Sequence, residues 1–278
     1  MRSQRSKQLF IWVAVLGFWG LSSAMATPVP ASDVTLVDRN STASINFASD
    51  AGMYNWTVDG TNHLNKQWFW YRVGNDRDES PLNALGLMGV KVTNANANPG
   101  NEHVVARYGS LNGLLVELSY TLTGGEPNSS RSDLAETITL TNYGTTTMNM
   151  HFFQYCDLDL GGTPRDALVQ ILGGDRAEQQ DDGFAVSETV VTPYPNHCQV
   201  GYYSTILDSL NDGSPTTLTD ANGPIGPGDL EWAFQWDFNL APQNSFIISK
   251  DKSIVPEPAT LSLLILGGLA ILRRRGRK

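Results

Sequence analysis

The sequence predicts an all-β protein: an antiparallel β-sandwich, jelly-roll-like or larger, flanked by an N-terminal signal-peptide helix and a C-terminal transmembrane helix. Three observations support this prediction. From residue 41 onward, apolar and polar residues alternate in short runs, as they do in strands with one buried face. Gly, Asn, Asp and Pro separate these runs, and none of them sustains helical spacing over three turns. Long apolar segments occur instead at the two ends of the chain.

Two runs, 114–123 and 230–240, predict core strands most clearly, because every second side chain in them is large and apolar. Eleven further strands are expected at 44–47, 54–58, 67–73, 86–93, 104–108, 136–142, 148–160, 168–172, 185–191, 199–205 and 245–249. Two antiparallel sheets packed face to face accommodate so many short strands without covering helices. A closed barrel or a small propeller is the alternative. Residues 124–133 and 216–229 are expected to form exposed loops, where binding sites tend to lie.

The N-terminus has the features of a secretory signal peptide. Three basic residues precede an apolar run at 9–21, which is followed by Ala24-Met25-Ala26. Small side chains at Ala24 and Ala26 fit a signal peptidase, so the mature chain is expected to begin at Thr27. An uncleaved membrane anchor is the alternative.

The C-terminus combines the motif Pro256-Glu257-Pro258, an apolar stretch at 259–272 and a basic run at 273–278. As a helix, the apolar stretch would rise about 21 Å, less than the roughly 30 Å hydrocarbon core, and the basic run would keep its end in the cytoplasm. This combination resembles the PEP-CTERM sorting domain, and the resemblance covers about the last 25 residues.

The resemblance implies that Pro256, Glu257 and Pro258 are recognised by an exosortase, a membrane-embedded processing enzyme. The expected partners are then signal peptidase and exosortase, and the expected location is the inner membrane for the precursor and the cell surface or the extracellular space afterwards. An ordinary tail anchor is the alternative. The predicted domains are the signal peptide at 1–26, an all-β extracytoplasmic domain at 27–252 and the sorting segment at 253–278.

The charge distribution limits the partners. The two ends hold eight of the nineteen basic residues and one of the 28 acidic ones, so the residues between them carry a net charge of about −16. Such a surface repels phosphate backbones and anionic lipid headgroups, so nucleic acid is not an expected partner. Soluble behaviour or cation binding is favoured.

Cys156 and Cys198 are the two cysteines of the chain. In an oxidising compartment, an even number of cysteines predicts one disulfide, which here would close a loop of about 40 residues and stabilise the fold by ~3–4 kcal/mol in the entropic model. The alternative is two buried free thiols, because the sequence does not specify the distance between the two Cα atoms.

Asp157 and Asp159 lie at the end of a predicted strand, just before Gly161-Gly162. Strand alternation places both carboxylates on one face, about 7 Å apart. Together with backbone carbonyls of the Gly-Gly turn they can ligate Ca²⁺, the one cofactor that the sequence indicates. Alternatively, the two aspartates cap the turn or are solvated at the strand edge, since their spacing is not that of an EF-hand loop.

Trp68 and Trp70 share one face of a predicted strand, with Phe69 and Tyr71 on the other. If that strand is buried on one side only, aromatic rings are exposed on the other, and exposed flat rings bind sugars by stacking on their apolar faces. Trp68 and Trp70 are therefore candidates for binding extracellular polysaccharide. The alternative is a strand that is buried on both faces.

Short catalytic motifs are scarce, since the sequence has no HExxH, GxSxG, P-loop or GxGxxG. The chain is accordingly predicted not to be an enzyme. The first expectation is a structural or interaction protein of the cell surface or extracellular matrix, and the second is a carbohydrate-binding module. The third is a polysaccharide-active enzyme, whose paired carboxylates the sequence does not specify.

Overall fold

The computed structural model describes residues 32–75, 77–181 and 183–257. The predicted signal peptide, Pro258 and the apolar stretch 259–272 lie outside these residues. Within the described part of the chain, no helix combines the length and the apolar character that a membrane span requires.

Strands make up most of the described residues. In chain order they are β1 (Asp33–Asp38), β2 (Ser41–Asn46), β3 (Gly52–Val58), β4 (Thr61–Asn62), β5 (Lys66–Val73), β6 (Ser80–Pro81), β7 (Leu87–Thr93), β8 (His103–Gly109), β9 (Leu114–Gly124), β10 (Ser132–Asn142), β11 (Met148–Asp157), β12 (Leu168–Leu172), β13 (Arg176–Asp181), β14 (Phe184–Thr192), β15 (His197–Tyr202), β16 (Leu230–Leu240) and β17 (Ser245–Pro256). The helical segments are two 3₁₀ helices, Leu82–Leu85 and Leu160–Gly162, and α1 (Thr205–Ser209).

These strands form two sheets. Sheet A has the order β1-β2-β3-β5-β11-β16-β15, with β4 beside β3 and β6 beside β5. Sheet B has the order β12-β13-β14-β17-β10-β9-β8-β7. Neighbouring strands are antiparallel except for a short parallel contact between β3 and β5. The prediction of an all-β protein with two antiparallel sheets is confirmed, and the number of strands fits the larger type of sandwich.

The core lies between the two sheets because alternate side chains of each strand point inward. In β9 the buried residues Val116, Leu118 and Leu122 alternate with partly exposed polar ones. Large rings fill much of this space, and Phe69 stacks on Phe152 with ring centroids 5.6 Å apart. Burial of this much apolar surface is the main stabilising contribution to the fold.

The segment between β15 and β16 covers the outer face of sheet A, the face that points away from sheet B. Three backbone or side-chain groups of this segment bond to that face: the amide of Ile206 to Glu231, the side chain of Asn211 to Trp70, and the amide of Leu218 to Gln235. Residues 230–236 of β16 are consequently buried on both faces.

A buried charge network lies in the core and joins the two sheets. It consists of four charged residues of sheet B, Glu136, Glu188, Lys250 and Lys252, all at most 3% exposed. Lys250 Nζ lies 2.8 Å from Glu136 and 3.0 Å from Glu188, and Lys252 Nζ lies 3.2 Å from Glu188. Gln67 and Gln154 of sheet A donate hydrogen bonds to Glu136 and Glu188 at 2.8 and 2.9 Å. Burial would raise the pKa of Glu188, but the two lysines outweigh it and lower the pKa to about 2.

Several predicted strand boundaries differ from the structure. The strand expected at 148–160 ends at Asp157, because the chain then turns into a 3₁₀ helix in which Gly161 has a φ of 70°. At the other end, β17 continues to Pro256, which pairs with Phe184, so residues 253–256 belong to sheet B. The sequence prediction missed β1, β4, β6 and β13.

Candidate functional site

Polar side chains collect on the outer face of sheet A. The register of β11 and β16 pairs Asp157 with Glu231 at one end of the strands and His151 with Asp237 at the other. Six residues of extended strand, about 20 Å, separate the two ends. The outer face therefore holds an acidic cluster at one end and a histidine–aspartate group at the other.

The acidic cluster consists of Asp157, Asp159 and Asp229. Asp157 ends β11, Asp159 follows it by two residues, and Asp229 directly precedes β16. Each contributes a carboxylate oxygen, and these oxygens all lie within 4.8 Å of one another. The structure thus brings together the two aspartates of the sequence prediction and adds a third.

Hydrogen bonding satisfies the acidic cluster only in part. Asn65 donates to Asp157 Oδ2 at 2.8 Å. By contrast, Oδ1 of Asp157, of Asp159 and of Asp229 is buried without a hydrogen-bond partner. Burial raises the pKa of Asp157 to about 7, and the neighbouring Asp229 and Asp159 contribute to this rise. Burial also raises the pKa values of Asp159 and Asp229.

Glu231 lies beside the acidic cluster and is fully buried. The hydroxyl of Tyr155 donates to its Oε2 at 2.7 Å, and the amide of Ile206 donates to its Oε1. Burial is the main cause that raises the pKa of Glu231. Both of its oxygens have donors, so Glu231 has a structural partner on each side.

At the other end, the carboxylate of Asp237 lies between two imidazoles. Its Oδ1 is 2.6 Å from Nδ1 of His151, and its Oδ2 is 3.7 Å from Nε2 of His197. Nδ1 of His197 lies 3.0 Å from Asp220, and this hydrogen bond is the main cause that lowers the pKa of Asp220. Gln235 donates to both oxygens of Asp237 and holds the carboxylate in place. The four groups therefore lie in a row, with a hydrogen bond at each end and a longer contact of 3.7 Å between Asp237 and His197 in the middle.

A pocket of about 270 Å³ opens beside His197. Its lining residues come from the turn between β12 and β13, the loop before β15, the start of β15 and the covering segment: Gly173, Gly174, Tyr194, Pro195, Asn196, His197, Cys198, Asp220 and Asn222. Tyr194 is 60% exposed. Gly174 has a φ of +87°, and a Cβ atom there would lie 2.5 Å from the hydroxyl oxygen of Tyr194. Glycine at this position therefore allows the tyrosine ring to approach the pocket wall.

A larger cavity, about 570 Å³, lies on the outer face of sheet B over β7, β8 and β9. Its polar groups include Lys91 and the ion pair between Arg107 and Glu117. None of its lining residues is aromatic or a histidine. We therefore place the candidate site at the smaller pocket, where an exposed ring, amides and an acid–base pair come together.

The tryptophans of the sequence prediction lie elsewhere. Trp68 and Trp70 are both fully buried, and their indole N–H groups donate to Asn83 and Asn211, each at 3.2 Å. The prediction that these rings stack on a sugar is not supported, because loops cover the second face of β5. The alternative, a strand that is buried on both faces, describes the structure.

The predicted disulfide is absent, since Cys156 and Cys198 are both free and buried. Cys156 is on β11 and Cys198 on β15, with β16 between them. Two strand spacings of about 4.8 Å place the Cα atoms beyond the roughly 7 Å limit for a disulfide. Burial raises the pKa of Cys156 to about 12 and that of Cys198 to about 11, which keeps both as thiols.

Sequence reasoning missed Asp229, His197, Asp220 and Asp237. Asp237 carried a local signal, because it alternates with the large apolar residues of β16 and had to lie on the opposite face. Nothing local linked it to His151 or His197, which reach it from neighbouring strands.

Comparison with known proteins identifies the fold. No protein-family model matches the chain, and no curated protein matches it by sequence. A bacterial glucoamylase solved in complex with acarbose superposes with a TM-score of 0.56 at 10% identity, over 88% of this chain and 36% of its own. A protein from Synechocystis sp. PCC 6803 superposes with a TM-score of 0.53 at 10% identity, over 83% of this chain and 98% of its own. An Escherichia coli K12 protein described as an aldose 1-epimerase superposes with a TM-score of 0.52 at 12% identity, over 81% of this chain and 99% of its own.

The chain thus shares the β-sandwich of these proteins, while it spans about a third of the glucoamylase's length. The prediction that the chain is not an enzyme is contradicted by these comparisons, because the fold that it shares occurs in about a third of a glucoamylase and in a protein described as an aldose 1-epimerase. That prediction rested on the lack of short motifs. In a sandwich, acid and base groups come from separate strands, which a short motif does not record.

Proposed function

We propose that this protein acts on carbohydrate and binds a saccharide in the pocket beside His197. The observation that supports this most directly is the composition of the pocket. The exposed ring of Tyr194 offers a flat apolar surface, and Asn196, Asn222 and Asp220 offer hydrogen-bonding groups around it. Sugars present the same combination of apolar faces and hydroxyls.

The size of the pocket favours a small ligand. A volume of about 270 Å³ lies just below the range of typical ligand pockets, roughly 300–1,000 Å³. One sugar ring, or the end of a polysaccharide chain, suits it better than an internal chain segment. The fold supports the same ligand class, since the structures that share it include a glucoamylase bound to acarbose.

A second candidate function, acid–base catalysis on the bound sugar, is favoured by the row of groups His151, Asp237, His197 and Asp220. An imidazole held by a carboxylate can donate a proton to a ring or glycosidic oxygen and take it back. His197 lines the pocket itself and is the candidate catalytic residue. Asp220 holds Nδ1 of His197 by a hydrogen bond, and His151, which is hydrogen-bonded to Asp237, is a positioning residue behind it.

The export route is part of the proposal. The signal-peptide features and the resemblance of the C-terminus to a PEP-CTERM sorting domain support processing by an exosortase-type enzyme and a final location at the cell surface or outside the cell. Replacement of Pro256, Glu257 and Pro258 by alanine should leave the chain retained in the membrane. Unchanged processing of this variant would count against the route.

Binding can be tested with the purified protein and a panel of monosaccharides and extracellular polysaccharides, by calorimetry. Tyr194→Ala should weaken binding by about tenfold, because it removes the stacking surface. Tyr143→Ala is the matched control, since Tyr143 is also exposed, at 40%, and does not line the pocket. Equal affinities of the two variants, or no binding by the unmodified protein, would refute the proposed site.

Catalysis is tested separately, by following the interconversion of aldose anomers and the release of reducing sugar. His197→Asn should abolish any rate enhancement while it preserves most of the binding. If the unmodified protein binds sugar but accelerates neither reaction, the second candidate fails and the binding function stands.

A further inference from the structure

The acidic cluster of Asp157, Asp159 and Asp229 lies away from the sugar pocket, at the opposite end of β11 and β16. Its side chains carry up to three negative charges within 4.8 Å. Among the described residues, no lysine or arginine forms an ion pair with any of the three. Lys66, which faces Asp157 across the strands, pairs with Asp50 at 3.6 Å instead. The protein's own side chains therefore do not balance the charge of the cluster.

Besides this unbalanced charge, the cluster contains a buried carboxylate oxygen of Asp157 without a hydrogen-bond partner. Its side chain is fully buried, and its Oδ1 has no hydrogen-bond donor. Oδ1 of Asp159 and Oδ1 of Asp229 are in the same condition. An ionised, buried carboxylate oxygen without a donor is unfavourable, and a bound cation would supply the partner that the described side chains do not.

The backbone holds the three residues in place. The carbonyl of Asp157 accepts from the amide of Asn65, that of Asp159 from Gly162 and that of Asp229 from Tyr203, at 2.9–3.1 Å. The main chain of all three residues is therefore fixed by strand ends and turns before any ligand binds. Such an arrangement lowers the entropy lost when a ligand binds.

We propose that Asp157, Asp159 and Asp229 bind a divalent cation of the size of Ca²⁺. The ligand atoms are all carboxylate oxygens, which suit Ca²⁺ and Mg²⁺ and not the softer metals. Three carboxylates suit Ca²⁺, which takes six to eight oxygen ligands in flexible geometry, better than Mg²⁺, which is usually held by one or two carboxylates and keeps several waters. Three carboxylate oxygens within 4.8 Å of one another can therefore reach one such ion.

A cation at this position joins two parts of the chain that are distant in sequence. It connects the turn after β11 with the end of the covering segment, directly before β16. Its expected effect is to fix the covering segment on sheet A, and it does not require that the protein bind sugar.

The test uses the full chain, freed of metal with a chelator at pH 8. Thermal unfolding and calorimetry are measured with CaCl₂ and, separately, with MgCl₂. We expect saturable binding of one Ca²⁺ per chain, a higher Tm in its presence, and weaker binding of Mg²⁺.

The variants Asp159→Asn and Asp229→Asn should each lose at least about tenfold in Ca²⁺ affinity, since each removes a charged ligand. Both residues are only partly buried, so the folded protein is expected to tolerate the substitution. Asp78→Asn is the control, because Asp78 is exposed and the substitution changes the net charge equally. No saturable Ca²⁺ binding by the unmodified protein, or an equal loss in Asp78→Asn, would overturn the proposal.

Discussion

Substitution of Glu188 by glutamine tests the buried charge network. The oxygens of Glu188 lie 3.0 Å from Lys250 Nζ and 3.2 Å from Lys252 Nζ, and all three side chains are at most 1% exposed. Glutamine keeps the shape but removes the charge, which leaves two lysines facing the single carboxylate of Glu136. Loss of one partner from a buried ion pair costs about 3–5 kcal/mol. That is a large part of the roughly 5–15 kcal/mol by which a domain is stable.

The assay is urea unfolding followed by circular dichroism at pH 7, and the quantity compared is the free energy of unfolding. Glu117→Gln is the matched control, because Glu117 pairs with Arg107 at 2.7 Å on the surface, with side chains 35% and 62% exposed. This exposed pair should contribute at most about 1 kcal/mol. The double variant Glu188→Gln, Lys250→Met should recover part of the loss, because it restores neutrality to the core. If Glu188→Gln costs no more than Glu117→Gln, the reasoning is refuted.

Three further predictions follow from the described residues. Cys156 and Cys198 should both react with a thiol reagent once the unreduced protein is denatured, because β16 separates them and they form no disulfide. An intact mass two hydrogens below that of the fully reduced chain would contradict this. Trp70→Ala should destabilise the fold by about 3–5 kcal/mol in urea unfolding, since the ring is fully buried, and should leave sugar binding in calorimetry unchanged. A loss of sugar binding without a loss of stability would restore Trp70 as a ligand residue. In the presence of a chelator, the free energy of unfolding should fall as the pH rises from about 4 to about 7. The carboxyl of Asp157 ionises near its ordinary pKa of 3.8 in the unfolded chain but only near 7 in the folded one, so unfolding releases a proton in that range. The difference between the two pKa values corresponds to ~4 kcal/mol. Asp157→Asn should reduce this pH dependence but not remove it, because burial also raises the pKa of Asp166 to about 8. An unchanged slope in unfolding measured at several pH values would contradict the role of Asp157.

Strand alternation predicted much of the fold. The runs 114–123 and 230–240 lie within one residue of β9 and β16, because a period of two is a local property that each strand carries in its own residues. The missed strands have the opposite character. In β13, Arg176–Asp181, most residues are polar, so its place in sheet B depends on its neighbours β12 and β14 and not on its own pattern.

The candidate sites could be predicted only in part. Asp157 and Asp159 are two residues apart in sequence, so they lie close together even though β11 ends at Asp157 and alternation does not extend to Asp159. The buried charge network is also partly visible in the sequence. Lys250 and Lys252 lie between Ile248 and Ile254 at positions that alternation assigns to the core. A charge at such a position requires a partner, but the sequence does not say which one.

The sequence by itself determined the all-β class, the alternation that divides core from surface, and the pairing of two aspartates at the end of β11. Only the tertiary structure decided that Asp229 completes their cluster, that His151 and His197 share Asp237, and that both tryptophans are covered. The physical reason is the separation along the sequence of the residues that interact. Alternation reflects the geometry of neighbouring residues in one strand, whereas these contacts depend on which strands become neighbours and on where the covering segment lies.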